Sequence, residues 1–379
     1  MITIKHPVDL PDTYPLERIG ALKDLLFFDI ETTGFSGDTS QLYLIGCTYH
    51  DGFGWKLIQW FADTRDSEAQ LLEAFFTFMS RFKILVHFNG DGFDIPYLLK
   101  CCRRLGLNYN FDRVTSLDIY KKIKPWRKLL GLENMKQKSI EAFLGVSRED
   151  KFSGGQLIQV YWDYLAARES FMYDLLILHN EDDLKGMPSI LPILNYADMM
   201  DSVFSLESQQ VFSHGPEWDS GHVWDGPPAL PSQPFLNLTW KSPFSIPVPL
   251  EYDTAPVSLE LHHDTLTCNV ALYQGELKFF YPNYKDYYYL PFEDTAIHKS
   301  VGGYVDKDAR KKATARTCYT KKCGLFLPQF GPLWSPVLKE DYKAALDYAE
   351  YCPDMLDVPE TADSYARQIL DYVGRSGQC

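Results

Sequence analysis

Apolar runs over residues 25–30, 41–50 and 55–61 read as three strands, and Asp51-Gly52-Phe53-Gly54 joins the last two as a hairpin turn. Ser67-Glu68-Ala69-Gln70 has the form of a capping box. The helix it opens carries Leu71, Leu72, Phe75, Phe76 and Met79 at helical spacing, which predicts a core-facing stripe. A strand over residues 83–88, a helix opened by Pro96, a short strand over 114–118 and a helical pattern over 173–196 follow. Hairpins followed by strand-helix alternation predict an α/β domain over residues 1–197, with a mixed five-stranded sheet and flanking helices.

The pattern changes near Asp198. Residues 198–249 carry scattered Pro, Gly, Ser and Trp, as in Gly226-Pro227-Pro228 and Pro231-Ser232-Gln233-Pro234, and read as a linker. Beyond it, residues 257–262, 266–273 and 276–281 predict an antiparallel meander with Gln274-Gly275 as one turn, continued by Tyr287-Tyr288-Tyr289-Leu290. Residues 250–379 therefore predict a smaller β-rich accessory domain.

Composition narrows the partners. The 379 residues hold 37 Lys and Arg against 51 Asp and Glu, a formal charge of −14, so the chain as a whole is not a general nucleic-acid binder. One stretch departs from this. Residues 100–138 are strongly basic, with Lys121, Lys122, Lys124, Arg127 and Lys128 close together and Tyr120 and Trp126 interleaved. Lysine and arginine can track phosphates while an aromatic ring stacks on a base; a solvated basic face is the competing reading. A second basic run, from His298 to Lys322 with Tyr304 and Tyr319 among its cations, reads either as a second nucleic-acid surface or as the polar face of a helix packed on the meander. The eight cysteines form no disulfide or zinc pattern. No signal peptide opens the chain and no apolar run approaches the ~18 residues of a membrane span, which fits a reducing cytoplasm.

Candidate chemistry lies in three segments. In Phe27-Phe28-Asp29-Ile30-Glu31-Thr32-Thr33-Gly34, successive strand side chains alternate faces, so Asp29 and Glu31 point the same way and can share a cation. Acids on a core strand are unfavourable without Mg²⁺ or Mn²⁺, although a solvated turn at Thr32-Thr33-Gly34 is an alternative. In Asn89-Gly90-Asp91-Gly92-Phe93-Asp94-Ile95-Pro96, Asp94 falls at a strand-to-helix corner, where it serves either as a ligand or as an N-terminal helix acid. In His179-Asn180-Glu181-Asp182-Asp183, His179 and Asp183 are four apart on a helix and project from one face; an acidic solvated face is again the alternative.

Taken together and in this order, the segments resemble the exonuclease motifs of the DEDD superfamily, most closely the YprB-like ribonuclease H-like domain family, over about the first half of the chain. The resemblance implies a ribonuclease H-like fold and a metal-dependent nuclease, a 3′–5′ exonuclease acting on DNA or RNA. It implies two divalent ions, Mg²⁺ or Mn²⁺, that hold the scissile phosphate, with Asp29, Glu31, Asp94 and Asp183 as ligands. Asp118, in Ser116-Leu117-Asp118-Ile119-Tyr120, also matches a family segment without being one of those four ligands. His179 stands where one subclass has Tyr, and imidazole suits a general base near neutral pH; a packing histidine beside Leu175 and Leu178 is the alternative. The rival function is a noncatalytic nucleic-acid-binding or scaffold protein that keeps the fold.

Overall fold

Ile2 and Ile4 alternate with polar residues through β1 (Ile2–Pro7), the period of a half-buried edge strand. β2 (Leu25–Thr32), β3 (Leu42–His50) and β4 (Trp55–Phe61) are far more apolar, and most of their residues are buried. The computed structural model describes residues 1–146, 154–213 and 233–376, and the chain divides into one unit of residues 1–127 and 131–197 and another of 128–130 and 198–379.

In the first unit, α1 (Glu68–Met79) buries its expected stripe, Leu71, Leu72, Phe75, Phe76 and Met79. β5 (Ile84–His87), α2 (Asp94–Arg104), β6 (Thr115–Asp118) and α3 (Ile119–Ile123) follow, then α4 (Gln137–Phe143), α5 (Gly154–Ala167) and α6 (Ser170–Ile190). The sheet order is β1-β4-β3-β2-β5-β6. β1 to β2 pair antiparallel, whereas β5 and β6 run parallel to β2. The sheet is thus six-stranded where five strands were expected. β1 pairs with β4 about fifty residues away, and no local turn signal announces so distant a partner.

Two local expectations are corrected. Ser67 does not cap α1 through its side chain: a 3₁₀ turn over Arg65–Ser67 precedes the helix, and Ser67 Oγ instead donates to Asp63 Oδ1 and bonds Thr64 Oγ1. The helical pattern over 173–196 breaks after Ile190, where a 3₁₀ turn holding Pro192 separates α6 from α7 (Leu194–Asp201). The 51–54 hairpin forms as expected, with Asp51 Oδ1 accepting the Phe53 and Gly54 amides.

In the second unit, β7 (Ser205–Phe212) and β8 (Phe235–Lys241) lie inside the stretch expected to be a linker and pair with each other in a sheet of order β7-β8-β11-β10-β9. The linker expectation fails here because Leu236, Leu238 and Trp240 alternate inward along β8; the Pro-rich motifs at 226–228 and 231–232 fall outside the described residues. β9 (Leu250–Thr254), β10 (Val257–His262) and β11 (Thr265–Ala271) complete that sheet. The meander stops there. β12 (Tyr273–Phe280) pairs with β16 (Tyr319–Gln329), which pairs with β17 (Asp347–Glu350), so Gln274-Gly275 lies within a strand, Gly275 opposite Gly324. A third sheet joins β13 (Tyr287–Leu290) to β14 (Thr295–His298) and to β15 (Lys311–Lys312), with α8 (Lys299–Gly302) between the last two in sequence. α9 (Pro359–Ser376) ends the described chain.

The close approach of α6 to the sheet positions everything that follows. Asp29, Gly46 and Gln59 stand side by side on β2, β3 and β4, and α6 crosses above them. A Cβ at Gly46 would lie 1.9 Å from Asn180 Oδ1 and 2.6 Å from Leu184 Cδ1, so only glycine admits the helix at this height. Gly46→Ala is expected to lower stability by about 1–3 kcal/mol through overpacking, read from urea unfolding curves. An unchanged midpoint would show that α6 can lift at no cost in stability.

Candidate metal centre and nuclease site

β2 is paired on both sides and brings Asp29 and Glu31 to one face, while α6 lowers His179, Asn180 and Asp183 onto that face. One donor atom each from Glu31, His179 and Asp183 lie within 4.8 Å of one another, close enough to hold one cation. His179 Nε2 is 3.6 Å from Glu31 Oε1 and 3.7 Å from Asp183 Oδ2. Glu31 and His179 are buried, and the Asp183 side chain is partly open. Tyr43 Oη donates to the other Glu31 oxygen at 3.4 Å.

Asp29 is held from the side. Asn180 Nδ2 donates to Asp29 Oδ2 at 2.9 Å, and Gln59 Nε2 donates to Asn180 Oδ1 at 2.9 Å and to the Ile177 carbonyl at 3.0 Å. Gln59 and Asn180 are fully buried amides whose orientation this chain of bonds determines. Neither stood among the candidate residues. The signal for Gln59 was a polar residue with apolar neighbours on both sides in Leu57-Ile58-Gln59-Trp60-Phe61.

Burial and then the charges of Asp183, Glu31 and Asp94 push the Asp29 carboxyl well above the usual carboxylate range, with the Asn180 amide opposing. Asp94 opens α2 and is buried, which pushes it up to about 7 although the backbone N–H groups of Asp94 and Ile30 donate to it. Acids this crowded favour protons when no cation is bound. A divalent ion removes that repulsion, so the oxygen-rich donor set fits Mg²⁺ or Mn²⁺.

The loop before α2 is built around Asp118 and His87. Asp118 accepts the Asn89 amide (2.9 Å), the Asp91 amide (3.2 Å) and the Lys121 amide (3.2 Å), the last capping α3. His87 Nδ1 accepts the Gly90 N–H at 3.0 Å, so Nε2 carries the proton and donates to Ser116 Oγ at 2.8 Å, which donates to Asp91 Oδ1 at 2.6 Å. Burial holds the His87 imidazole below its usual range, in keeping with that neutral form. Asp118 thus shapes the turn that delivers Asp94.

The basic stretch is divided. Lys121 Nζ lies 3.0 Å from Asp91 Oδ2, and Arg127 donates to the Leu132 and Glu133 carbonyls. Lys122 and Lys124 are exposed, with the Lys124 ammonium 5.5 Å from the Tyr120 ring centre; Trp126 is half-buried. Lys128 is exposed and belongs to the second unit.

Residues 26–195 match the family model described as the RNase_H superfamily. This part of the chain has a ribonuclease H-like fold. The chain is similar to the DNA polymerase of Thermococcus kodakarensis, 31% identical over 108 residues, which is 26% of this chain and 6% of that protein. It is also similar to the DNA polymerase of Pyrococcus glycovorans, 32% identical over 108 residues, 26% of this chain and 14% of the relative. The match therefore spans a small part of either relative. Among solved structures, the family B DNA polymerase of Pyrobaculum calidifontis is 16% identical with a TM-score of 0.37, covering 46% of this chain and 26% of that one. The Escherichia coli ExoI–ssDNA complex in its zinc-bound form is 13% identical with a TM-score of 0.28, covering 41% and 43%. No helix among the described residues is long and apolar enough to cross a membrane.

The raised Asp94 carboxyl has a thermodynamic signature. Its folded value lies above the unfolded one, so its contribution to stability is complete below about pH 4 and disappears as pH rises through about 7. In chelator, wild-type Tm should fall relative to that of Asp94→Asn between about pH 5 and 8, by an amount worth at most about 4 kcal/mol. Parallel Tm–pH curves for the two proteins would disprove the assignment.

Proposed function

We propose that residues 26–195 form a metal-dependent nuclease that hydrolyses phosphodiester bonds of DNA or RNA as a 3′–5′ exonuclease of the YprB-like kind. The observation that carries this reading is the meeting of Glu31, His179 and Asp183 donors within 4.8 Å, beside an Asp29 that feels the charge of Asp94. Asp29, Glu31, Asp94 and Asp183 would hold two divalent ions. When bound, such ions supply Lewis-acid activation of water and stabilise the departing 3′ oxygen.

The chain's own residues do the rest. Asn180 and Gln59 hold the Asp29 carboxylate in one orientation. His179, between Glu31 and Asp183, takes a proton from water at Nε2, and the two carboxylates stabilise the imidazolium that results. Lys122 and Lys124 contact phosphates. Phe35, 95% exposed and edge-on to Phe93 beside Asp94, offers a ring to an unpaired base.

The full chain incubated with 5′-end-labelled single- and double-stranded DNA and RNA should give, with Mn²⁺ and not with EDTA, products that shorten progressively from the 3′ end. Asp29→Asn and Asp183→Asn should each abolish this and leave the fold intact, since each removes a charge and almost no volume. Full activity in both variants would sink the metal-site reading, and internal cuts would replace exonuclease with endonuclease. His179→Ala should lower turnover by about 10²–10⁴-fold with Mn²⁺ binding kept, and His179→Tyr should recover part of it with an altered acidic limb of the pH profile. Wild-type turnover with an unaltered profile in His179→Ala would make His179 a packing residue.

A further inference from the structure

The basic run between residues 298 and 322 lies in the second unit and takes no part in the carboxylate site. Two of its cations serve the fold. Lys321 Nζ is 2.6 Å from Asp294 Oδ2 and 3.2 Å from Glu276 Oε1, and Lys322 pairs with Glu350. Asp294 is fully occupied, because it also accepts the hydroxyls of Tyr289 and Tyr319.

The others differ. Lys299, Lys307, Lys311, Lys312 and Arg316 are exposed, and among the described residues none makes an ion pair within 4 Å. β15 consists of Lys311 and Lys312 alone, in register with Tyr289 and Tyr288. The Arg310 guanidinium lies 4.5 Å from the Tyr288 ring centre and the Lys299 ammonium 5.7 Å from it, so cations gather around that ring. Tyr304, just beyond α8, is 94% exposed, and its ring is left in water. In a chain with a net charge of −14, exposed Lys307, Lys311, Lys312 and Arg316 draw no stability from an ion pair within 4 Å among the described residues, although Asp306 and Asp308 flank Lys307 in sequence. Their complement is a polyanion. A polyanion with flat apolar faces also accounts for Tyr304, and only unpaired bases offer such faces, since in a duplex they are stacked inside.

We propose that the small sheet of β13, β14 and β15, with the turn bearing Tyr304, is a binding surface for single-stranded nucleic acid. Lys307, Lys311, Lys312 and Arg316 contact phosphates, and Tyr304 stacks on a base. The surface is separate from the carboxylate site, and its test uses chelator so that cleavage is not required.

The measurement is fluorescence anisotropy of the full chain with labelled oligothymidine and oligouridine of about 20 nucleotides and with a duplex of equal length, in EDTA over a series of salt concentrations. The variant Lys307→Gln/Lys311→Gln/Lys312→Gln/Arg316→Gln should weaken single-strand binding by about tenfold or more. It should also flatten the slope of log affinity against log salt by about 0.7 for each phosphate that is no longer neutralised. Tyr304→Ala should weaken single-strand binding about fivefold or more and leave duplex binding unchanged. Lys307→Arg/Lys311→Arg/Lys312→Arg should retain wild-type binding, which separates removal of charge from damage to the fold. Unchanged affinity and slope in the glutamine variant would overturn the surface, as would an equal weakening in the arginine variant. Equal effects of Tyr304→Ala on single strand and duplex would overturn the single-strand assignment, and binding to anionic lipid vesicles without binding to either oligonucleotide would overturn the nucleic-acid class.

Discussion

Everything at the carboxylate site depends on how near α6 comes to the sheet, and that distance is determined by a missing side chain. With hydrogen at the α-carbon of Gly46, the Asn180 amide occupies the space a methyl group would take. At that height the amide reaches Asp29 on one side and Gln59 on the other, and the next turn of the helix delivers Asp183 beside Glu31. A looser helix would leave Asp29 without the Asn180 amide that orients it and would carry Asp183 away from Glu31. The buried amides are tied across elements, Asn180 to β2 and Gln59 to α6, while Gln59 Oε1 is buried with no hydrogen-bond partner among the described residues.

Features with a local period were legible in the sequence. Alternation put Asp29 and Glu31 on one face, where each feels the other's charge, and a spacing of four put His179 within 3.7 Å of Asp183. Features made by distant partners were not. β1 pairs across about fifty residues, Gln59 meets Asn180 over more than a hundred, and Lys121 is paired by Asp91, an acid that precedes the whole basic stretch. Asp118 could be read as belonging near the site, but only the folded loop shows it gripping backbone amides.

The second unit shows the same limit more sharply. β8 has a clean period of two, yet the Pro and Gly around it argued for irregular chain. Gly275 looked like a turn because glycine usually marks one in a strand-rich segment; here it faces Gly324 across two strands of a different sheet. Which sheet a strand joins is decided by burial of its neighbours, and local composition carries little of that information.

The two walls of the carboxylate site stand on different elements. Asp29 and Glu31 project from the part of β2 that pairs with β3, the pairing with β5 ending at Phe27, and Asp29 is further clamped by Asn180. Asp183 stands on a helix, with its side chain partly open to solvent and 3.7 Å from His179 Nε2. If a cation binds there as proposed, it is held between two kinds of support, acids on a sheet strand and acids on a helix, so its place in the fold follows the sheet and its fit to that place follows how α6 is seated.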